Sequence, residues 1–150
     1  MRRFHIGIPL AWSMASLLAC GTPLARERLA WEHRRPAAYT FEYTYACFCP
    51  GSGAWWRIAV EGDSVTRTEL MDSSQAGRGL NDARTMHHPT LTGLFDQIAS
   101  RAAAGGEIYS VTYDPILHYP VRAQGRDPTR TDSRWTIEVR NVQTTGGGAK

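Results

Sequence analysis

Long apolar runs are missing from this chain of 150 residues. No stretch reaches the ~20 residues that a membrane-spanning helix requires. Cysteine is scarce, with three in all, and no two of them form a Cys-x-x-Cys pair, so the thioredoxin-like redox signature is absent. Gly51-Ser52-Gly53 lacks the Gly-x-Ser-x-Gly form of a nucleophile elbow. No glycine loop of the phosphate-cradling kind occurs, no second carboxylate stands at a telling distance from Asp114, and no Ser/His/Asp set is evident. Lysine is nearly missing too. The basic residues are almost all arginine, and they alternate with acids and threonines, which is the pattern of a solvated surface. The sequence therefore predicts no cofactor and no catalytic residues.

The N-terminus has a different character. Arg2-Arg3 precede an apolar run from Ile6 to Leu18, followed by small residues, which is the layout of an export signal over residues 1–19. That segment ends Leu17-Leu18-Ala19-Cys20-Gly21, which resembles the lipobox of bacterial lipoproteins. The resemblance implies that Cys20 carries lipid and begins the mature chain, exported and held at a membrane of the cell envelope. Removing Arg2 and Arg3 lowers the formal charge from +3 to +1, with 15 basic residues against 14 acidic. Nothing in that balance supports nucleic-acid binding.

Residues 20–35 read as the lipidated cysteine followed by a short helix or linker, ending before Pro36. Residues 36–143 read as one domain, and 144–150 as a glycine-rich flexible tail. Tyr39, Phe41, Tyr43 and Tyr45 alternate with Thr40, Glu42 and Thr44, which predicts a half-buried strand. Trp56–Val60 and Val65–Leu70 form a hairpin about Glu61-Gly62-Asp63. Met71–His88 has no period and reads as a loop. Leu91, Leu94, Phe95, Ile98 and Ala102 recur at helical spacing between Pro89-Thr90 and Gly105-Gly106. Ile108–Tyr113, Pro120–Gln124 and Arg134–Val142 complete the strands. The expected fold is α+β in two layers. It has an antiparallel sheet of about five to six strands, one main helix on one face, and a short N-terminal helix before it.

Cys47-Phe48-Cys49, the helix opening Pro89-Thr90 and the run Tyr113-Asp114-Pro115…Tyr119-Pro120 form a second likeness. With the lipobox, they resemble a family of small bacterial lipoproteins that carries only a domain-of-unknown-function label. The likeness spans Trp31 to Val142, with His118 where the family pattern has glycine. It implies an envelope location and this fold, and it brings no known activity.

Cys47 and Cys49 would share one face of a strand with Cα atoms ~6.6–6.8 Å apart, the far limit of disulfide geometry. A bridge needs a local bend, which Pro50-Gly51 can supply. The readings are a structural disulfide, free or metal-binding thiols, and a redox-active pair. His87, His88 and His118 match no compact metal motif with these cysteines, so no metal ligands are assigned. Asp114 before Pro115 is turn chemistry. Trp56 shares the parity of Ile58 and Val60, so Trp55 faces the other way. Trp55, Asp114, His118 and Tyr119 are the candidate binding residues. The sequence points to a non-catalytic, lipid-anchored binding domain with an envelope protein partner. The alternative is a metal- or redox-linked module using Cys47 and Cys49 with nearby histidines.

Overall fold

The computed structural model describes residues 21–49, 52–72 and 88–145. The signal segment and Cys20 lie outside the described residues, as do His87, most of the expected 71–88 loop and the last residues of the tail. Eight elements follow in chain order: α1 (Pro23–Arg34), β1 (Ala38–Cys47), β2 (Trp55–Glu61), β3 (Ser64–Leu70), α2 (Leu91–Ala103), β4 (Glu107–Tyr113), β5 (Pro120–Arg126) and β6 (Trp135–Thr144).

The strands form one six-stranded sheet in the order β3-β2-β1-β6-β5-β4, with every neighbour antiparallel. It consists of two three-stranded meanders, one on each side of α2 in sequence, joined where β1 pairs with β6. One parity of the strands is apolar and buried: Tyr39, Phe41 and Tyr43 on β1, Trp56, Ile58 and Val60 on β2, and Trp135, Ile137 and Val139 on β6. These side chains meet the buried faces of both helices.

This arrangement corrects the expected fold class. The molecule is a sheet-dominated fold with nearly twice as many residues in strands as in helices, not a two-layer α+β unit under one main helix. Strand pairing supplies most of the contact between elements, and two helices share the cover. The physical reason is Trp31. Its ring is fully buried (0 % exposed), meeting Tyr39 and Tyr119 edge to face at 5.7 and 6.0 Å. Its indole Nε1 donates to Thr92 Oγ1 on α2 at 3.0 Å. Burying a side chain of that size makes α1 part of the core.

Both helices begin as their sequences dictate. Thr22 Oγ1 accepts from the Ala25 amide, with Pro23 in the first helical position. Thr90 Oγ1 accepts from the Gly93 amide at 3.0 Å, and Gly105 at φ 84° follows the end of α2. Leu91, Leu94, Phe95 and Ile98 are the buried face of α2, whereas Ala102 is exposed. The direction of each helix can be read from its contacts. The Leu91 amide donates to Tyr39 Oη near one end of β1, and Arg101 Nη2 donates to Tyr45 Oη near the other. α2 therefore runs alongside β1 in the same sense. α1 runs the opposite way, since Trp31 meets Thr92 while Arg28 pairs with Asp96.

Candidate functional site

At the end of the sheet where β1 stops and β6 starts, Cys47 pairs with Trp135. Two connections project there, the turn after Cys47 and the loop from Asp127 to Arg134. Between them lies an open cleft of about 930 Å³, floored by Ala46, Cys47, Trp135 and Thr136. A narrower recess of about 300 Å³ beside it reaches Cys49 and Arg101.

The floor is rigid for identifiable reasons. The Arg101 guanidinium lies 4.7 Å from the Trp135 ring and 5.3 Å from the Tyr45 ring while bonding the Tyr45 hydroxyl at 2.9 Å. Gly125 on β5 lies under Trp135. A Cβ there would come within 2.6 Å of the indole and 2.5 Å of the Glu107 carbonyl oxygen, so only glycine fits. The 127–134 loop closes on itself. Asp127 Oδ1 accepts from the Thr129 hydroxyl at 2.6 Å and the Thr129 amide at 2.9 Å, which holds its carboxyl below the ordinary value. Ser133 Oγ donates to the Asp127 carbonyl and accepts from the Asp127 amide.

The turn opposite is tied by the Cys47 amide, which donates to Ser52 Oγ at 2.9 Å. Cys47 and Cys49 lie at disulfide distance with Cα atoms 5.2 Å apart, closer than a straight strand allows, so the chain bends here. The bend leaves Phe48 88 % exposed at the rim. Arg126, Arg130 and Arg134 surround the other side. Arg126 is engaged by Glu107 at 2.8 Å, whereas Arg130 and Arg134 form no salt bridge with the described residues. The arrangement combines apolar contact at one rim with guanidinium groups at the other, which suits a partner with both an apolar part and anionic oxygens.

The four candidate binding residues lie elsewhere. Asp114, His118 and Tyr119 come together in the β4–β5 turn, where the Asp114 amide donates to the Tyr119 carbonyl and the His118 amide to the Asp114 carbonyl, while Trp55 stands apart on β2. Trp55 is on the face opposite Trp56, half-buried, with the Arg140 guanidinium 3.7 Å from its ring. Asp114 Oδ1 accepts from the Ile116 and Leu117 amides at 2.9 and 2.7 Å, holding the β4–β5 turn. Tyr119 is buried against Trp31. Burial, then the Asp114 charge, pushes its hydroxyl up to about 12. His118 sits at φ 68°, the left-handed region that favours glycine. Its Nδ1 meets Glu27 Oε2 at 2.7 Å and its Nε2 meets Arg34. That hydrogen bond from His118 lowers the Glu27 carboxyl.

His118 does not join the cysteines, and His87 lies outside the described residues. His88 is buried against the Trp56 ring, 4.6 Å between centroids, and His118 is at the far end of the sheet from Cys47. Among the described residues, no three His, Cys, Asp or Glu side chains gather as a metal site, and no helix is long and apolar enough to cross a membrane.

A second polar cluster occupies the solvent face. Glu42 is 5 % exposed and accepts from Arg140 Nε at 2.8 Å, Asn141 Nδ2 at 2.9 Å and Arg57 Nη2 at 3.3 Å. Burial opposes its charge, but these three bonds outweigh the penalty and keep its carboxyl below the ordinary value. Asn141 reaches it through a bulge between β1 and β6, where Asn141 adopts φ 53°. All three donors converge on one carboxylate, so the cluster is a clamp across three strands.

Phe48, Arg101, Arg130, Arg134 and Glu42 were not singled out by the alternation. Phe48 had a signal in its position between two cysteines before Pro-Gly. Asn141 had one as well, since a polar residue takes the inward parity of Trp135, Ile137 and Val139 just before Val142.

No curated protein and no solved structure matches the chain. A family of unknown function, DUF6174, matches residues 23–144, from the first residue of α1 to the last of β6. The chain belongs to that family.

Proposed function

We propose that this chain is an exported, lipid-anchored protein of the bacterial cell envelope whose domain binds a partner without catalysing a reaction. Cys20 is the lipid attachment point in this reading, and the cleft beside Phe48 is the binding face. The observation that carries the binding part is the pairing, around one cleft, of an exposed aromatic ring with two arginines that form no salt bridge with the described residues. The anchor rests on the lipobox-like residues Leu17 to Gly21 alone.

Two measurements test the two halves. Growth with labelled fatty acid should mark the wild-type chain and not the Cys20→Ser variant. Equal labelling of both would end the anchor. A photo-reactive phenylalanine analogue at position 48 should yield an adduct in intact cells that is missing when the analogue replaces Ile116, the exposed residue of the opposite turn. No adduct at position 48 would end the binding reading.

One observation favours a redox-linked role as a second reading. Cys47 and Cys49 both line the narrower recess. Intact mass after thiol alkylation separates the two. A bridged pair takes up no label and leaves the binding reading leading. Two labelled thiols in the native protein would favour the cysteine-based role.

A further inference from the structure

The direction of α1 decides which end of the domain lies next to its anchor. α1 runs antiparallel to α2, and α2 runs from Tyr39 towards Tyr45. The start of α1 therefore lies towards the end of the sheet that carries Cys47, Trp135 and the cleft. From Trp31 back to Pro23 is eight residues, or ~12 Å of helix. Leu24 packs against the core, so the helix stays on the body over that length. Only Gly21 and Thr22 separate Cys20 from Pro23, which leaves a tether of at most ~10 Å.

The geometry points to a membrane-facing end: the Phe48 rim and the Arg130 and Arg134 side chains dock on the bilayer surface and take the phosphates of anionic phospholipids. This rests on the anchor reading of Cys20 above and gives the cleft its partner. A lipid on so short a tether holds the cleft end against the surface, and the charge distribution agrees. At the far end, Arg35 is paired with Asp63, and Arg34 is bonded to His118 and the Ile116 carbonyl. At the cleft end, Asp127 accepts from Thr129 and also feels the Arg130 charge, Asp132 lines the cleft, and neither Arg130 nor Arg134 forms a salt bridge with the described residues. Guanidinium groups bind phosphate oxygens bidentately. An exposed phenylalanine enters the boundary between headgroups and acyl chains. Exposed Ile116 lacks this setting, since its neighbouring cations are already bonded.

The test uses the mature lipid-bearing protein purified from bacterial membranes. It is reconstituted into vesicles of phosphatidylcholine alone, or of equal parts phosphatidylcholine and phosphatidylglycerol. Amide exchange should slow over residues 126–134 and at Phe48 in the anionic vesicles, and stay unchanged over 114–118. Protection should fall about fivefold for each arginine removed in Arg130→Ala and Arg134→Ala, and fall again in high salt. Unchanged exchange within β1 and β6 shows that the variants remain folded. Equal exchange in the two compositions, equal slowing at 114–118, or protection indifferent to both arginines would overturn the inference. An acidic protein partner would give the first of these results. A failed anchor is told apart by flotation, because an unlipidated chain stays in the buffer whatever its cleft does.

Discussion

Glu42→Gln removes one charge and almost no volume, so it isolates what the carboxylate does for the sheet. Three donors from β2 and β6 converge on it. A hydrogen bond to a charged group contributes roughly 1.5–3 kcal/mol, and breaking a fully buried ion pair costs about 3–5 kcal/mol. Both figures need reduction here, because the Arg57 and Arg140 side chains are about half exposed while Glu42 is buried. A loss of about 2 kcal/mol at neutral pH is the expected outcome, read by urea unfolding. It corresponds to a midpoint lower by about 8 °C on heating. The pH dependence gives a sharper test. The folded carboxyl lies below its unfolded value of about 4.3. Its contribution is therefore complete above that pH and is lost as the pH falls through the folded value. Wild type and Glu42→Gln should converge in acid. In a double-mutant cycle, Arg140→Gln should cost about 1 kcal/mol less once Glu42 is gone. A deficit under about 0.5 kcal/mol at pH 7, or one that persists undiminished at pH 3, would refute the reasoning.

Other substitutions probe separate parts of the fold. Gly125→Ala drives a methyl group into the Trp135 ring and the Glu107 carbonyl. It should cost about 3 kcal/mol in denaturant unfolding, and indole fluorescence should report the displaced ring. Trp31→Ala should cost about 3–5 kcal/mol, measured by thermal unfolding. A loss near zero would mean that α1 is dispensable. His118→Ala keeps the left-handed backbone cost and loses the Glu27 contact. His118→Gly loses the same contact but relieves the backbone, so it should be more stable than the alanine variant by about 1 kcal/mol.

What was legible in the sequence was local. The alternation at Tyr39–Tyr45 and at Trp135–Val139, the spacing on α2 and its opening at Pro89-Thr90 all reflect forces acting within one element. The role of α1 was not legible in this way. Trp31 stands in an Ala-, Arg- and Glu-rich stretch whose own apolar pattern is weak, and its burial depends on Tyr39, Thr92 and Tyr119 meeting in space. Glu42 was hidden for the same reason. Alternation places it on the solvent face, and only the pairing of β1 with both β2 and β6 encloses it. The cleft depends on two connections over 70 residues apart, and no period in either one points to the other.

The seam between the two meanders also constrains the order of assembly. β1 is the first strand of the sheet and β6 the last, yet they are neighbours at its centre. A chain released residue by residue can form the β1-β2-β3 meander early, but the inner edge of that meander stays open until the final strand has been made. Closing so long a loop carries a high entropic cost before any contact rewards it, and such topologies fold slowly. Until β6 arrives, the hydrogen-bonding groups of β1 are exposed as a template for other strands. The segment that forms β6 must therefore be synthesised before this domain can be complete. A chain cut short before residue 135 would lack the strand that closes the sheet and present two unpaired edges in its place.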